Sequence, residues 1–355
     1  MKATAQGTPR SNARPTILRR MAPWVERTFR PGGAILAYHR ITHHEWNPLN
    51  TCVTAEHFSE HLEVLRKFAV PRRAVDIARQ ASQGNRPACE VAITFDDGYR
   101  DNLEIAKPIL EKHDYPATVF VTTEPLQTGL PFYWDELEHL IFAPDVLPST
   151  LELVAGRQYS WQLDSSIKCR RDLYRELAAV MSYLTPDDRR ATIATLRSAL
   201  GVSPDLRSSP RLTMNTEELA RLQDGGLIDL GAHTVNHAWL PACTAEDQYR
   251  ELLDSRRHLE AVTGKPTTTF AYPYGVLDGT TLDCVRAAGY EFAYTTQKQD
   301  IRGRVNPLAV PRFVVYDIDG DRFEELLREH VFGLRRWDGP AWAGKRLLRK
   351  LRNDR

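Results

Sequence analysis

This sequence has little of several features that would assign it to common classes of protein. Its five cysteines are widely spaced and form no CxxC pair, which argues against a disulfide framework and a cysteine zinc site. The formal net charge is only +1, so composition gives no reason to expect nucleic acid as a partner. Because no apolar run is long enough for a secretory signal or a membrane span, we expect a cytoplasmic protein.

The remaining composition is that of an ordinary globular protein. With 355 residues, of which 42% are hydrophobic and 26% charged, the chain can bury a full core in one large domain or two smaller ones. Positive charge clusters at both ends, where residues 1–30 resemble a basic flexible leader and residues 334–355 a basic amphipathic tail. The tail is either a solvated helix or a peripheral contact with the inner face of an anionic membrane.

Apolar strands alternate with amphipathic helices along most of the chain. Ala34–Tyr38 reads as a buried strand, and Thr54 opens the helix that follows it. The alternation continues through residues 31–130 and 211–333 and predicts a parallel sheet. About seven such units favour an α/β fold of the (β/α)7 type, a deformed barrel that is closed or nearly closed.

A segment of about eighty residues interrupts this alternation, which is too long for a plain loop in a compact domain. Helical patterns at Asp172–Leu184 and Asp187–Leu200, with another starting near Pro131, predict a helical insertion over residues 131–210. The insertion follows a strand, on the face where barrel enzymes carry their active sites. We therefore expect it to form one wall of a substrate cleft, with Trp134 among the substrate-binding residues.

Two adjacent carboxylates follow the most regular strand of the sequence. Val91–Phe95 is apolar and β-branched, and it runs directly into Asp96, Asp97 and Gly98. Two negative charges this close repel, so one carboxyl holds a proton or both find a cation. The alternative is a solvated turn in which the two side chains cap the helix beginning near Asn102.

Two further polar or aromatic segments also follow predicted strands. His233 and His237 are four residues apart, a spacing that suits a divalent ion if the segment turns helically, although a chance HxxxH pair is common among eleven histidines. Residues 272–275 read as an aromatic turn, which can also line a groove for a sugar and offer a backbone N–H to an oxyanion. In a barrel the carboxyl ends of parallel strands converge on one pocket.

With these segments in this order, the chain resembles the NodB-type polysaccharide deacetylases of carbohydrate esterase family 4. The matching motifs are TFDDG at residues 94–98, HTVNH at 233–237, YPYG at 272–275 and the early LAYH at 36–39. The FAYPYG form and the early YH are similar to the branch that includes poly-N-acetylglucosamine deacetylases. Most of the chain outside the insertion and the two ends is covered by the resemblance.

The resemblance implies a role for each motif. Asp96 is expected to be the catalytic base, and Asp97, His233 and His237 the ligands of a divalent metal, first of all Zn²⁺, with Co²⁺ or Ni²⁺ as alternatives. The turn at Tyr272, Pro273 and Tyr274 is expected to contact substrate. The implied reaction removes acetyl groups from N-acetylhexosamine units of an oligo- or polysaccharide.

The sequence departs from the family pattern at two places. Ala271 stands where family members usually have an arginine that orients the base, and Arg312 in a later strand is the candidate replacement. The family's late Leu-x-His motif, which supplies the general acid, has no clear match. His39, at the end of the first predicted strand, is the candidate acid, because the first and last strands of a barrel are neighbours.

These departures leave other functions open. The same pocket could act as an esterase or amidase on another acylated carbohydrate or a cyclic amide. A catalytically weak homologue that only binds glycans is a further alternative, which the presence of both carboxylates and both histidines makes weaker. If the protein is cytoplasmic, its substrate is a free or lipid-linked precursor and not a finished wall polymer.

Overall fold

The computed structural model describes residues 32–202 and 212–331. The predicted leader at residues 1–30 and the predicted tail at residues 334–355 lie outside the described residues. In the two described ranges, no helix combines the length and the apolar character needed to cross a bilayer.

Parallel strands form one central sheet, and two small two-stranded sheets accompany it. In chain order the strands are β1 (Ala34–Tyr38), β2 (Arg40–Ile41), β3 (Cys52–Val53), β4 (Val70–Pro71), β5 (Glu90–Phe95), β6 (Ala117–Val121), β7 (Thr150–Ala155), β8 (Arg157–Gln162), β9 (Ile228–Ala232), β10 (Thr269–Ala271), β11 (Phe292–Tyr294) and β12 (Phe313–Val314). Across the central sheet the order is β11-β10-β9-β6-β5-β1-β12, with β4 alongside β5.

Helices connect most of these strands. In chain order they are α1 (Ala55–Phe68), α2 (Ala74–Ser82), α3 (Lys107–His113), α4 (Glu124–Thr128), α5 (Tyr133–Phe142), α6 (Ile167–Ser182), α7 (Pro186–Ala199), α8 (Thr216–Gln223), α9 (Ala245–Thr263), α10 (Gly279–Ala287) and α11 (Gly320–Leu326). Short 3₁₀ turns cover Leu240–Ala242 and Pro273–Gly275, and π-helical turns cover Asn102–Ala106 and Leu327–Val331.

The central sheet curls until its two edges meet. Beside the edge strand β11, the N–H of Val310 donates to the carbonyl of Ala293 at 2.8 Å, and the N–H of Thr295 donates to the carbonyl of Val310 at 2.9 Å. Val310 lies just before the other edge strand, β12, so backbone hydrogen bonds span the gap between the edges. The predicted deformed barrel is confirmed, as is the expected neighbourhood of the first and last strands, since β1 pairs with β12.

Strand register explains why the motifs lie together. Tyr38 pairs with Phe95, and Val121 pairs with Ala232. The residues that follow these pairs therefore leave the sheet at the same end of the barrel, where the carboxyl ends of the strands lie. Because alternate residues of a strand face opposite sides, Thr94 and Asp96 point away from Phe95, whose ring lies in the main hydrophobic core.

Local sequence signals set several helix boundaries. Thr54 caps α1, where its hydroxyl accepts a hydrogen bond from the N–H of His57 at 3.3 Å, as the sequence predicted. The helix predicted to begin near Asn102 is present. Residues 102–106 form a π-helical turn, and the α-helix begins at Lys107.

The segment predicted as a helical insertion contains helices α5, α6 and α7, but it is not purely helical. Strands β7 and β8 form an antiparallel hairpin around Gly156, which has a φ of 71°. Alternate residues of β7 are buried, and Leu151, Leu153 and Ala155 join a hydrophobic core centred on the insertion. The same period-two pattern, ending at a glycine, is a sequence signal that would have predicted the hairpin.

Candidate active site

The carboxylate of Asp96 is held by a buried arginine from the other end of the chain. Arg312 donates from Nη1 to Oδ1 at 2.7 Å and from Nη2 to Oδ2 at 2.8 Å, so the pair is bidentate. The same guanidinium donates to the hydroxyl of Thr94 and the carbonyl of Thr295, both at 3.1 Å. Arg312 is fully buried, and its fixed fork therefore fixes the orientation of Asp96.

Electrostatics keep Asp96 ionised. Burial alone would raise the pKa of this carboxyl, but the charge of Arg312, with a smaller contribution from His233, lowers it to about 2. The structure thus places the sequence-predicted Arg312 on the sequence-predicted base. Ala271 faces the same side of the sheet, in a cluster with Phe120, and the guanidinium of Arg312 lies 5.3 Å from the centre of the Phe120 ring.

Asp97, His233 and His237 bring three potential ligand atoms together. The Oδ1 atom of Asp97 lies 3.5 Å from the Nε2 atom of each histidine. This separation is too long for a strong charge-assisted hydrogen bond, and Oδ1 is buried without a hydrogen-bond partner among the described residues. All three side chains are buried, and their candidate ligand atoms lie within 4.8 Å of one another.

These distances fit a divalent metal. Ligands at about 2.0–2.1 Å from a tetrahedral Zn²⁺ are about 3.3 Å apart, close to the separations between Oδ1 and the two Nε2 atoms. His233 donates from Nδ1 to the carbonyl of Ala271 at 2.8 Å, which directs Nε2 at Asp97. Burial opposes a charge on His233, but the carboxylates of Asp97 and Asp96 raise its pKa, so a metal ion bound here would replace the proton on Nε2. Burial lowers the pKa of His237 well below its usual range, with help from the charges of His233 and Arg189, so this imidazole is neutral as a ligand must be.

Several residues in and beside this cluster have positive φ angles, which are unusual for residues other than glycine. Asp97, Thr234 and His237 have φ values of 75°, 65° and 50°, all in the left-handed region. Tyr274, in the neighbouring turn, has a φ of 59°. Such conformations cost free energy and persist where the surrounding structure imposes them, which is common at functional sites.

Two charged residues that the sequence analysis did not identify hold the histidine loop. Glu251 accepts hydrogen bonds through Oε2 from the backbone N–H groups of Val235 and Asn236, both at 2.9 Å. Arg189, on the insertion, donates to the carbonyl of Asn236 at 3.1 Å and to that of His237 at 3.4 Å. Neither residue belongs to a local motif, so only their proximity in the fold identifies them.

Of the three residues of the aromatic turn that were predicted to contact substrate, only Tyr274 has a partly exposed side chain beside the histidines. Tyr274 is half-buried, its ring centre lies 4.7 Å from that of His237, and its hydroxyl is 3.1 Å from that of Tyr133. The assignment of Tyr272 to substrate is wrong, because its side chain is fully buried and donates to the carbonyl of Leu308 at 2.7 Å. Pro273 is also buried and shapes the turn.

Trp134 supports the site from within the insertion, and the structure does not place it on an open wall. Only 8% of its surface is exposed. Its ring centre lies 4.7 Å from that of His237, and its Nε1–H donates to the hydroxyl of Tyr99 at 2.7 Å. That hydroxyl lies 3.1 Å from Oδ2 of Asp135, whose pKa burial raises to about 7. Trp134 therefore packs against His237 with little of its surface open, and its contact with substrate stays a prediction.

His39 lies beside Asp96, as the register of β1 and β5 requires. Its imidazole is half-buried, and its charge contributes to lowering the pKa of Asp96. The carbonyl of His39 accepts a hydrogen bond from the side-chain amide of Asn102 at 2.9 Å, which anchors the backbone at this point. His39, Asp96 and Arg312 therefore lie together at the barrel end where the two histidines also lie.

Known proteins are similar to this chain in sequence and in fold. The sequence profile of the polysaccharide deacetylase family matches residues 83–146 and 178–293, about half of the chain, and omits the hairpin. The poly-beta-1,6-N-acetyl-D-glucosamine N-deacetylase of Staphylococcus aureus strain MSSA476 is 25% identical over 134 residues. That match covers 36% of this chain and 43% of the relative, so the chain spans less than half of the relative's length.

Two solved structures resemble the fold. Streptococcus pyogenes deacetylase PplD, in complex with acetate, superposes with a TM-score of 0.55 at 18% identity, covering 85% of this chain and 99% of that one. IcaB from Ammonifex degensii gives a TM-score of 0.52 at 17% identity, with 83% and 95% covered. The profile match includes both the TFDDG and the HTVNH motifs, and the curled sheet brings the two motifs to the same end of the barrel. The chain therefore belongs to the polysaccharide deacetylase family.

Proposed function

We propose that this protein is a metal-dependent hydrolase that removes N-acetyl groups from N-acetylhexosamine units of an oligo- or polysaccharide. The observation that carries the proposal is the pairing of two arrangements within one buried site. Asp96 is ionised and fixed by Arg312. Asp97, His233 and His237 bring their ligand atoms close together, yet Oδ1 of Asp97 lacks a hydrogen-bond partner among the described residues. The S. aureus relative, named for poly-beta-1,6-N-acetyl-D-glucosamine, suggests the class of sugar.

The protein residues divide the work of hydrolysis. Asp96 accepts a proton from the attacking water, whose oxygen bonds to the acetamide carbonyl carbon. A backbone N–H near Tyr274 stabilises the oxyanion that develops. His39 donates a proton to the nitrogen as the carbon–nitrogen bond breaks, and acetate and a free amine on the sugar are the products. Arg312 is a positioning residue, since it acts through Asp96.

A carboxylate with a pKa near 2 is a weak base, so the site must make the water more acidic. A divalent ion held by Asp97, His233 and His237 would lower the pKa of a bound water and polarise the carbonyl. We propose Zn²⁺, with Co²⁺ or Ni²⁺ as alternatives, because two imidazoles and one carboxylate suit these ions.

Acetate release tests this function directly. The full chain, loaded with each of the three metals, is incubated with β-1,6- and β-1,4-linked N-acetylglucosamine oligosaccharides and with O-acetylated xylan. We expect acetate from at least one N-acetylated chain and at least a thousandfold less from Asp96→Asn. Release from xylan alone would favour the esterase alternative, and binding without any release would favour the glycan-binding alternative.

We also propose a layout and a location for the protein. The layout is a barrel formed by residues 31–130 and 211–333, with residues 131–210 as an inserted unit, which is supported by the hydrophobic core centred on the insertion. The location is the cytoplasm, with the basic segments 1–30 and 334–355 at the inner face of the membrane and a precursor glycan as substrate. Salt-sensitive sedimentation with anionic liposomes would support the membrane contact, and equal sedimentation with neutral liposomes would contradict it.

A further inference from the structure

The two histidines of the cluster are held in different ways. His233 donates from Nδ1 to the carbonyl of Ala271, and this hydrogen bond fixes the plane of its ring. Nδ1 of His237 is buried and has no hydrogen-bond partner among the described residues. A metal-binding imidazole is usually oriented through its second ring nitrogen. The ring of His237 therefore needs another source of orientation.

Aromatic rings pack around the imidazole of His237. Trp134 and Tyr274 each lie 4.7 Å from it between ring centres, with the planes inclined by 68° and 74°. Phe132 lies 6.3 Å from His237 and stacks on Trp134 at 4.4 Å. Phe132 and Trp134 belong to the insertion, and both are buried. Close edge-to-face packing of this kind restricts the rotation of the imidazole about its side-chain bonds.

Hydrogen bonds fix Trp134 in turn. Its Nε1–H donates to the hydroxyl of Tyr99 at 2.7 Å, and that hydroxyl donates to Asp135, where Oδ1 lies at 3.2 Å and Oδ2 at 3.1 Å. The guanidinium carbon of Arg40 lies 4.6 Å from the centre of the Tyr99 ring and packs over it. An indole N–H and a phenol O–H each have one hydrogen to donate, so the direction of both bonds is set. The carboxylate of Asp135 thus holds the indole through Tyr99.

The insertion also holds the backbone at His237. Arg189 of α7 donates through Nη1 to the carbonyls of Asn236 and His237. It also donates through Nε and Nη2 to two carbonyls at the end of α6, those of Met181 and Ser182. His237 therefore receives a backbone contact from the insertion as well as the packing of its ring.

We propose that Trp134 and Asp135 are positioning residues of the metal site. Asp135 fixes Trp134 through Tyr99, and the indole of Trp134 holds the imidazole of His237 in the orientation that metal binding requires. A ligand must be kept within about 10–20° of its productive geometry, and packing can do this as a hydrogen bond does. This inference rests on the proposed metal site and goes beyond it, because the insertion supplies none of the proposed ligands and yet becomes part of the metal centre.

Competition with a chromophoric chelator tests the role of Trp134 in the full chain. We expect Trp134→Leu to bind zinc about tenfold more weakly than the wild type, because the metal must then order the imidazole itself. Trp161→Leu is the matched control and should bind zinc as the wild type does. Trp161 also packs against the core of the insertion, and its Nε1–H donates to the carboxylate of Glu176 at 2.7 Å. Thermal melts of the metal-free variants check that they fold.

Variants of Asp135 provide a second test that leaves the aromatic rings in place. Asp135→Leu removes the acceptor of the Tyr99 hydroxyl, whereas Asp135→Asn keeps a carbonyl oxygen at that point. We expect Asp135→Leu to weaken zinc binding and to shift the visible absorption of bound Co²⁺, which reports the geometry of the ligands. Asp135→Asn should keep both close to the wild type. A merely looser insertion would lower the melting temperature and leave the cobalt spectrum unchanged.

The results separate this inference from the proposed function. Wild-type zinc affinity in the folded variants, or equal weakening by Trp134→Leu and Trp161→Leu, would overturn the inference and leave the metal site standing. An effect of Trp134→Leu without one of Asp135→Leu would support the role of the indole and overturn that of Asp135. Dependence on both residues without acetate release would support the inference and contradict the deacetylase proposal. A wild-type chain that binds none of the three proposed metals would contradict both.

Discussion

Arg312 and Asp96 form a two-point ion pair with N–O distances of 2.7 and 2.8 Å, although 216 positions separate them in the sequence. Arg312 immediately precedes β12, the last strand of the sheet, and Asp96 immediately follows β5, with β1 between the two strands. The pair thus ties the closing strand of the barrel to the proposed base. Both side chains are buried, so neither can exchange its partner for water.

Removing Arg312 should destabilise the protein strongly. Arg312→Met leaves Asp96 buried without its counter-charge, which typically costs about 3–5 kcal/mol. Arg312→Lys keeps the charge but loses the fork, and we expect an intermediate loss. Urea unfolding of the metal-free chain measures both. The control is Arg322→Met, whose side chain is 59% exposed and should cost under about 1 kcal/mol; equal losses for Arg312→Met and Arg322→Met would contradict the prediction.

Stability should fall in acid as Asp96 is protonated. Its pKa in the folded protein is about 2, below the ordinary 3.8, so the ionised pair stabilises the fold above about pH 4 and is lost as the pH falls through 2. The contribution is on the order of 2 kcal/mol. Free energies of unfolding measured from pH 6 to pH 2 in chelator should decline less steeply for Asp96→Asn than for the wild type. If the free energy of unfolding fell equally steeply for the wild type and for Asp96→Asn, other titrating groups would account for the loss of stability in acid.

Zinc should stabilise the wild type through Asp97, His233 and His237. A metal at a hundred times its dissociation constant adds about 3 kcal/mol to the free energy of unfolding, because it binds only the folded site. We expect chelation to remove this gain and His237→Ala never to show it. His258→Gln is the control, because His258 lies on α9, where it contacts Gln127. A zinc effect of equal size in His237→Ala would place the metal elsewhere.

Glu251 should influence metal affinity although it is not a proposed ligand. It accepts hydrogen bonds from two N–H groups of the loop between His233 and His237, and Glu251→Gln removes the charge that strengthens them. We expect zinc affinity to fall about 10- to 100-fold, the usual effect of losing a group that orients ligands. Competition with a chromophoric chelator measures the affinity. Glu246 is exposed on the same helix, and Glu246→Gln should leave the zinc affinity unchanged. If Glu251→Gln also bound zinc as tightly as the wild type, Glu251 would contribute only to the stability of the loop.

Local patterns predicted the features that depend on local physics. Alternating apolar strands and capped helices predicted the barrel, because burial of each face follows from residue spacing and Thr54 carries its own capping signal. The motifs predicted which carboxylates and histidines would meet, since strand ends of a parallel sheet converge. The hairpin in the insertion was missed although its alternation was present in the sequence.

The sequence by itself determined the strand and helix alternation, the family, and the residues expected to bind metal. Tertiary structure alone decided the contacts around them. Glu251 and Arg189 hold the histidine loop from α9 and from the insertion, and Tyr272 turns into the core instead of the cleft. The physical reason is that these contacts depend on how the sheet curls and on which elements it brings together, and no spacing along the chain encodes either.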